Sequence, residues 1–192
     1  MKKLTKHALA MSFMQMCGEV PLKDISVKDF ILYAGISKQT FYNYFRDKDD
    51  LMNYVYSIAA DNIILNMTSS VRGVYYSAYD MARVCMDNKN FYIQLASYET
   101  QNDFQSHFLN KCENVYADML AKNSGHPVTD ARMKKIIHVF CTGVCVFFTE
   151  WLQGGLKDPP EFVAQIIVDC MPADIRKGLE TADAQKTPEN AV

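Results

Sequence analysis

The sequence predicts an all-α protein, and three observations carry that expectation. Punctuation is sparse: no proline occurs between Pro21 and Pro127, and the glycines in that span are Gly35, Gly73 and Gly125. Leu, Met, Ala and Phe recur every third or fourth residue, the spacing that lines one face of a helix. Ser, Thr or Asp stands ahead of several of these stretches, where a side-chain oxygen can cap free helix amides. The chain has 192 residues, 49% hydrophobic and 22% charged, which suits one or two folded domains and excludes disorder over most of its length.

The first helix is expected to start after Thr5, to place Leu9, Phe13 and Met16 on one face and to end at Gly18. Ser26 caps the second, whose inward stripe is Val27, Phe30, Ile31 and Ala34, and Gly35 makes the turn. Ser37 caps a short third helix through Tyr44. Asp47 caps the fourth, with Asp49 and Asp50 in its first turn where the helix dipole favours acids; it is expected to run to about Val71. Two or three helices fill 74–123, and 123–127 is a loop. A long helix follows over roughly 130–154, closed by Gly154 and Gly155. Asp158-Pro-Pro-Glu161 starts the last helix: the Asp caps, the prolines sit where no amide is needed, and the helix reaches about Met171. The end, from Thr181, is small and polar and expected to fray. The division predicted is 1–47, 48–175 and a flexible tail over 176–192.

The net charge of −2 hides an asymmetry. Residues 1–48 carry net +4 and the remainder −6, so the first segment is the one suited to meet an anion. No secretory signal is visible, and the greasiest run, Val139–Phe148, is too short for a membrane span of ~20 residues. The six cysteines are scattered through helical stretches, and a chain this long builds a core without disulfides. A reduced, cytoplasmic protein is expected, with no membrane partner.

Function concentrates in 26–51, SVKDFILYAGISKQTFYNYFRDKDDL. Two short helices joined by a tight Ala-Gly-Ile turn make a helix-turn-helix candidate. At 100° per residue, Phe41, Tyr44 and Phe45 fall on one side of the third helix, and Lys38, Gln39, Tyr42, Asn43 and Arg46 on the other. Lys can donate to guanine, Gln and Asn can pair with adenine, and Tyr and Lys also bind phosphates.

The segment resembles the DNA-binding domain of the TetR family of bacterial transcriptional regulators. The shared pattern is Ser26-Val27 with Asp29-Phe30, the Ala34-Gly35-Ile36-Ser37-Lys38 turn, and Thr40-Phe41-Tyr42, Tyr44-Phe45, Lys48 and Leu51. The resemblance covers about residues 5–52. It implies that the third helix enters the major groove, with Lys38 and Gln39 at base edges and Thr40, Tyr42 and Asn43 on phosphates or thymine methyls. Lys48 and Ser26 would each hold a phosphate at a helix start. Gln39 stands where a small residue is frequent and Tyr44 where His is common, which leaves the operator sequence open.

Phe147-Phe-Thr-Glu-Trp151 through Phe162 is similar to the last two helices of that family, and more narrowly to the branch that includes activators of dihydroxyacetone-kinase operons. The resemblance implies a four-helix homodimer interface. Two helical stripes agree with it: Ile136, Phe140, Val144, Phe147 and Trp151, and Phe162, Ile166 and Cys170. A plain intramolecular core is the alternative for these residues.

Between them lies a stretch rich in Tyr, Phe and Met that can line a pocket for an apolar or aromatic effector, with Tyr98, His107 and Tyr116 as polar anchors. His138, Cys141 and Cys145 stand at i, i+3 and i+7, a soft ligand set for Zn²⁺ or Cu⁺, but no fourth ligand is evident; buried thiols are the expected reading and no metal is expected. Cys112 beside Lys111 is a weak redox candidate, since sequential neighbours do not share a helix face. No phosphate loop, nucleotide fingerprint, paired-Cys pattern or nucleophile elbow occurs, so neither an enzyme nor a cofactor is expected.

The expected function is a homodimeric regulator, a repressor by the commoner mode, that binds a palindromic double-stranded DNA site and is switched by an effector. An activator controlled by a protein partner is the alternative, as is a helical ligand-binding or interaction module that does not use DNA.

Overall fold

A computed structural model describes residues 2–65, 68–97 and 101–184. Among them the chain forms ten α-helices and a 3₁₀ turn at Leu22–Asp24. The helices are α1 (Lys2–Glu19), α2 (Val27–Tyr33), α3 (Lys38–Tyr42), α4 (Lys48–Leu65), α5 (Val71–Asp87), α6 (Lys89–Ala96), α7 (Gln101–Ser124), α8 (Ala131–Gln153), α9 (Pro160–Asp169) and α10 (Ala173–Ala184).

Helices α1 to α3 and the start of α4 make a head built on aromatic rings. Phe13 meets Phe30 edge-on at 5.4 Å, Phe30 meets Phe41 at 6.1 Å, and Phe41 meets Phe45 at 5.8 Å. All four rings are buried. Lys6 on α1 places its ammonium over Phe45 and Tyr54, at 5.0 and 4.4 Å from the ring centres, which ties α1 to α4. The body is α5 to α10. Its closest pairing is α5 on α9, and α7 packs on α8 and α10. Val74, Ala82 and Cys85 of α5 and Val163, Ile167 and Val168 of α9 are buried in its core.

Helix ends follow the caps read from sequence at most places. Asp47 accepts from the amide of Asp50 at 2.8 Å, and Asp130, a cap not named from the sequence, accepts from that of Met133 at 2.8 Å. Helix α2 ends in a left-handed Gly35 (φ 64°), with the Ile36 amide reaching back to the Ile31 carbonyl at 3.2 Å. Only a residue without a Cβ takes that backbone shape at little cost.

Other ends differ from expectation. Helix α1 already runs from Lys2, so Thr5 lies inside it instead of capping it. Helix α4 is described to Leu65 and does not run on to Val71; a new helix starts there because Ser70 accepts from the Gly73 amide at 2.9 Å. Asp158 does not cap α9. Pro159 takes that position, and the Asp158 carbonyl accepts from the Trp151 indole N–H at 3.1 Å. Residues after 175, expected as a tail, form α10 to Ala184, with Ile175 and Leu179 buried. The i, i+4 pair Ile175 and Leu179 was the sign of an inward face. Asn123 secures that helix by donating to the carbonyls of Gly178 and Ser69, at 2.9 and 3.0 Å.

Helix α8 is long and apolar enough to cross a bilayer. One face of it, Ile137, Phe140, Cys141, Phe148, Trp151 and Leu152, lies in the core instead. Among the described residues, the hydroxyls of Ser77 and Tyr92 are buried with no hydrogen-bond partner. An orphaned buried hydroxyl costs its desolvation energy. Tyr92→Phe removes that cost at constant shape, so we expect thermal unfolding to occur at an unchanged or higher temperature. A fall of several degrees in a calorimetric scan would contradict the assignment.

Candidate nucleic-acid interface

Ser37 starts α3 by accepting the Thr40 amide at 3.0 Å, and its hydroxyl pairs with that of Thr40 at 2.8 Å. The helix then places Phe41 inward, followed by Phe45. Lys38, Gln39, Tyr42, Asn43 and Arg46 all face solvent, and Thr40 is half-buried. One short element therefore presents a cation, two amides and a phenol on one side while its other side is anchored in the aromatic core. Lys38 lies 5.9 Å from the centre of the Tyr42 ring, close enough for a cation–π contact that holds both side chains along the stripe.

Two of the residues expected to hold phosphates are engaged differently. Ser26 sits in a capping box: its hydroxyl accepts from the Asp29 amide at 3.2 Å and donates to the Asp29 carboxylate at 2.5 Å, and its own amide donates to the same carboxylate at 3.1 Å. These hydrogen bonds hold the Asp29 carboxyl below its ordinary pKa. The chain's own anion thus stands at the α2 start, where a phosphate was expected. Lys48 donates to the backbone carbonyls of Leu22 and Ile25 at 3.0 and 2.9 Å, so its ammonium braces the segment before α2. A lysine and a serine at family positions carry no sequence signal of these internal contacts, which depend on the folded neighbours.

The stripes assigned to a dimer face divide in the same way. Phe140 and Trp151 are buried within the subunit, Phe140 against Tyr116 with ring centres 5.3 Å apart. Ile136, Val144 and Phe147 are half-buried. The outward side of α8 instead shows Val139 and Val146, 70% and 50% exposed, a pair the sequence reading missed. On α9, Phe162 and Cys170 are exposed and Ile166 half-buried, while Val163 and Ile167 face α5.

Of the effector anchors, Tyr98 and the side chain of His107 lie outside what the structure describes. Tyr116 is buried, and desolvation pushes its phenol well above the ordinary value. His138 turns outward to Glu113, Nδ1 to Oε1 2.6 Å, away from the buried Cys141 and Cys145. Among the described residues no group of His, Cys, Asp or Glu has the arrangement of a metal site. The Cys112 thiol is pushed up by a hydrogen bond with Cys145 and by burial, and Cys141 by burial, which disfavours the reactive thiolate at both.

Residues 74–172 match the TetR-type family described as a transcriptional regulator C-terminal region. The HTH-type dhaKLM operon transcriptional activator DhaS of Lactococcus lactis subsp. lactis (strain IL1403) is 25% identical over 160 residues, which span 81% of this chain and 84% of that protein. A solved structure of a dihydroxyacetone kinase operon activator DhaS superposes with a TM-score of 0.69 at 22% identity, covering 90% of this chain and 97% of that one. It shows the same fold, a helix-turn-helix head on a helical body.

Proposed function

The chain belongs to the TetR-type transcriptional regulators, and from that premise we propose that it binds a palindromic DNA site as a homodimer. The observation that carries this reading is the exposed stripe of Lys38, Gln39, Tyr42 and Asn43 on a helix held from behind by Phe41 and Phe45. Lys38 and Gln39 read base edges in the major groove; Thr40, Tyr42 and Asn43 fix the register on phosphates or thymine methyls. Ser26 and Lys48 serve indirectly, by setting the start of α2.

Two copies pair through the outward sides of α8 and α9, which puts two heads on half-sites ~34–36 Å apart, or a multiple of that. The relative from Lactococcus is named an activator, which favours activation over repression as the sign of control here. A ligand or protein partner switches the dimer by binding the body with different affinity in its DNA-competent and incompetent shapes. The site of action is the cytoplasm, where the DNA lies.

Selection of bound duplexes from a random pool, with a salt titration, tests the reading. A recovered palindrome with helical-turn spacing is expected, with affinity falling steeply as salt rises because neutralised phosphates release counterions. Lys38→Ala should weaken binding by about 1–3 kcal/mol if it reads a base, and Tyr42→Ala should lower affinity across all sequences. Neither change should alter dimerisation. Binding that ignores both salt and these substitutions would reject the proposal.

A further inference from the structure

Gln94, on α6, joins the body to the head with both ends of its amide. Its Nε2 donates to the carbonyl of Cys17 in the last turn of α1, at 2.7 Å, and its Oε1 accepts from the backbone N–H of Leu22, the first residue of the 3₁₀ turn. The Cys17 carbonyl needs this donor, since the residue four places on is Pro21, which has no N–H to give. An amide serves both backbone groups at once; a carboxylate or an ammonium cannot.

The carbonyl of that same Leu22, and that of Ile25, are held by Lys48 at the start of α4. Segment 22–25 is thus gripped from the body by Gln94 and from the head by Lys48, with Leu22 and Ile25 buried between. The next residue, Ser26, is the N-cap of α2. A grip on Leu22 therefore fixes the entry to the helix-turn-helix.

We propose that Gln94 is a positioning residue that sets the angle of the head on the body, and so the separation of the two DNA-reading faces in the dimer. The head meets the body in two places, along α4 and where α1 and the 3₁₀ turn pack on α6. The Gln94 bridge lies in the second of these, off the α4 axis, and its two directional hydrogen bonds fix the register of that contact. A cleft of about 280 Å³ between the end of α1 and α6, lined by Cys17, Gly18, Val20, Asn90, Ile93 and Gln94, brings solvent to the bridge. The inference rests on the DNA-binding reading above.

Gln94→Met keeps the length of the side chain and removes both hydrogen bonds. Gln94→Glu keeps an acceptor for Leu22 and loses the donor for Cys17. The full chain and both variants are measured against duplexes whose half-sites are moved apart or together one base pair at a time, with a lone half-site as control. We expect the parent to prefer one spacing about tenfold over its neighbours, a difference within reach of two neutral hydrogen bonds. Gln94→Met should bind the neighbouring spacings almost equally while its half-site affinity is unchanged, and Gln94→Glu should fall between. A merely destabilised protein would lose affinity for every duplex, the half-site included.

Hydrogen exchange reads the bridge without DNA. The Leu22 amide should exchange about tenfold faster or more in Gln94→Met, with α4 amides still protected. Should Gln94→Met not fold, Gln94→Glu carries the comparison, with partial relaxation expected. A parent that prefers one spacing and a variant that shares the preference overturn the role of Gln94 alone. A parent that selects no duplex overturns the DNA-binding reading, and the role built on it falls too.

Discussion

On the proposed pairing through α8, Val139→Arg combined with Val146→Arg is expected to yield a monomer with intact helices. Both valines stand on the outward side of α8, 70% and 50% exposed, two turns apart, beside half-buried Ile136 and Phe147. Core residues point the other way, so the substitutions meet no intramolecular packing. In a homodimer each arginine would be buried against its copy, and a charge taken from water without a partner costs several kcal/mol. Symmetry doubles the penalty, because one residue enters the interface twice. Light scattering should then report the subunit mass of 21.9 kDa, with unchanged far-ultraviolet circular dichroism. Affinity for the full palindrome should drop to that of a half-site, a loss of about 10²-fold or more, since a tethered second contact contributes that much. A dimer that persists would move the interface elsewhere.

Phe41→Ala is expected to destabilise the head by about 3–5 kcal/mol. Phe41 is fully buried and touches Phe30, Tyr42 and Phe45, so its removal leaves a cavity at the meeting point of α2, α3 and α4. Domains have only ~5–15 kcal/mol of stability in total, which makes this a large share. The ring is also the back wall of the recognition helix, so specific DNA binding should be lost well below the temperature at which the body melts. Chemical denaturation followed by circular dichroism measures the first effect and a binding titration at two temperatures the second. A midpoint shift corresponding to less than 1 kcal/mol would mean that the neighbouring rings close the gap.

The helix-turn-helix was legible because its signals are local. Ser26 and Ser37 cap helices that begin one residue later, Gly35 takes the left-handed turn, and the split of α3 and the turn after it into Phe41 and Phe45 against Lys38, Gln39, Tyr42 and Asn43 was visible at 100° per residue. Where a signal depended on what lies across the fold, it misled. Helix α8 is apolar on several sides, so periodicity alone could not separate core from outer face; Phe140 and Trp151 went inside, and Val139 and Val146 outside, because α6 and α7 cover one side only. The short apolar repeat Ile175–Leu179 gained its meaning from α7, which offers the surface it fills.

Lys48 marks the boundary most clearly. A lysine at a helix start beside a basic face reads equally well as a phosphate ligand or as a brace. Chain order alone specified the caps at Ser26, Ser37 and Asp47 and the two-sided recognition element, since each depends on residues within a turn or two, whereas the caps expected at Thr5 and Asp158 and the tail expected after 175 did not hold. The contact of Lys48 with the Leu22 and Ile25 carbonyls, the pairing of Gln94 with Cys17 and Leu22, and the split of α8 into a buried and an exposed side depended on residues tens of positions apart arriving at one place, and three-dimensional packing made those choices.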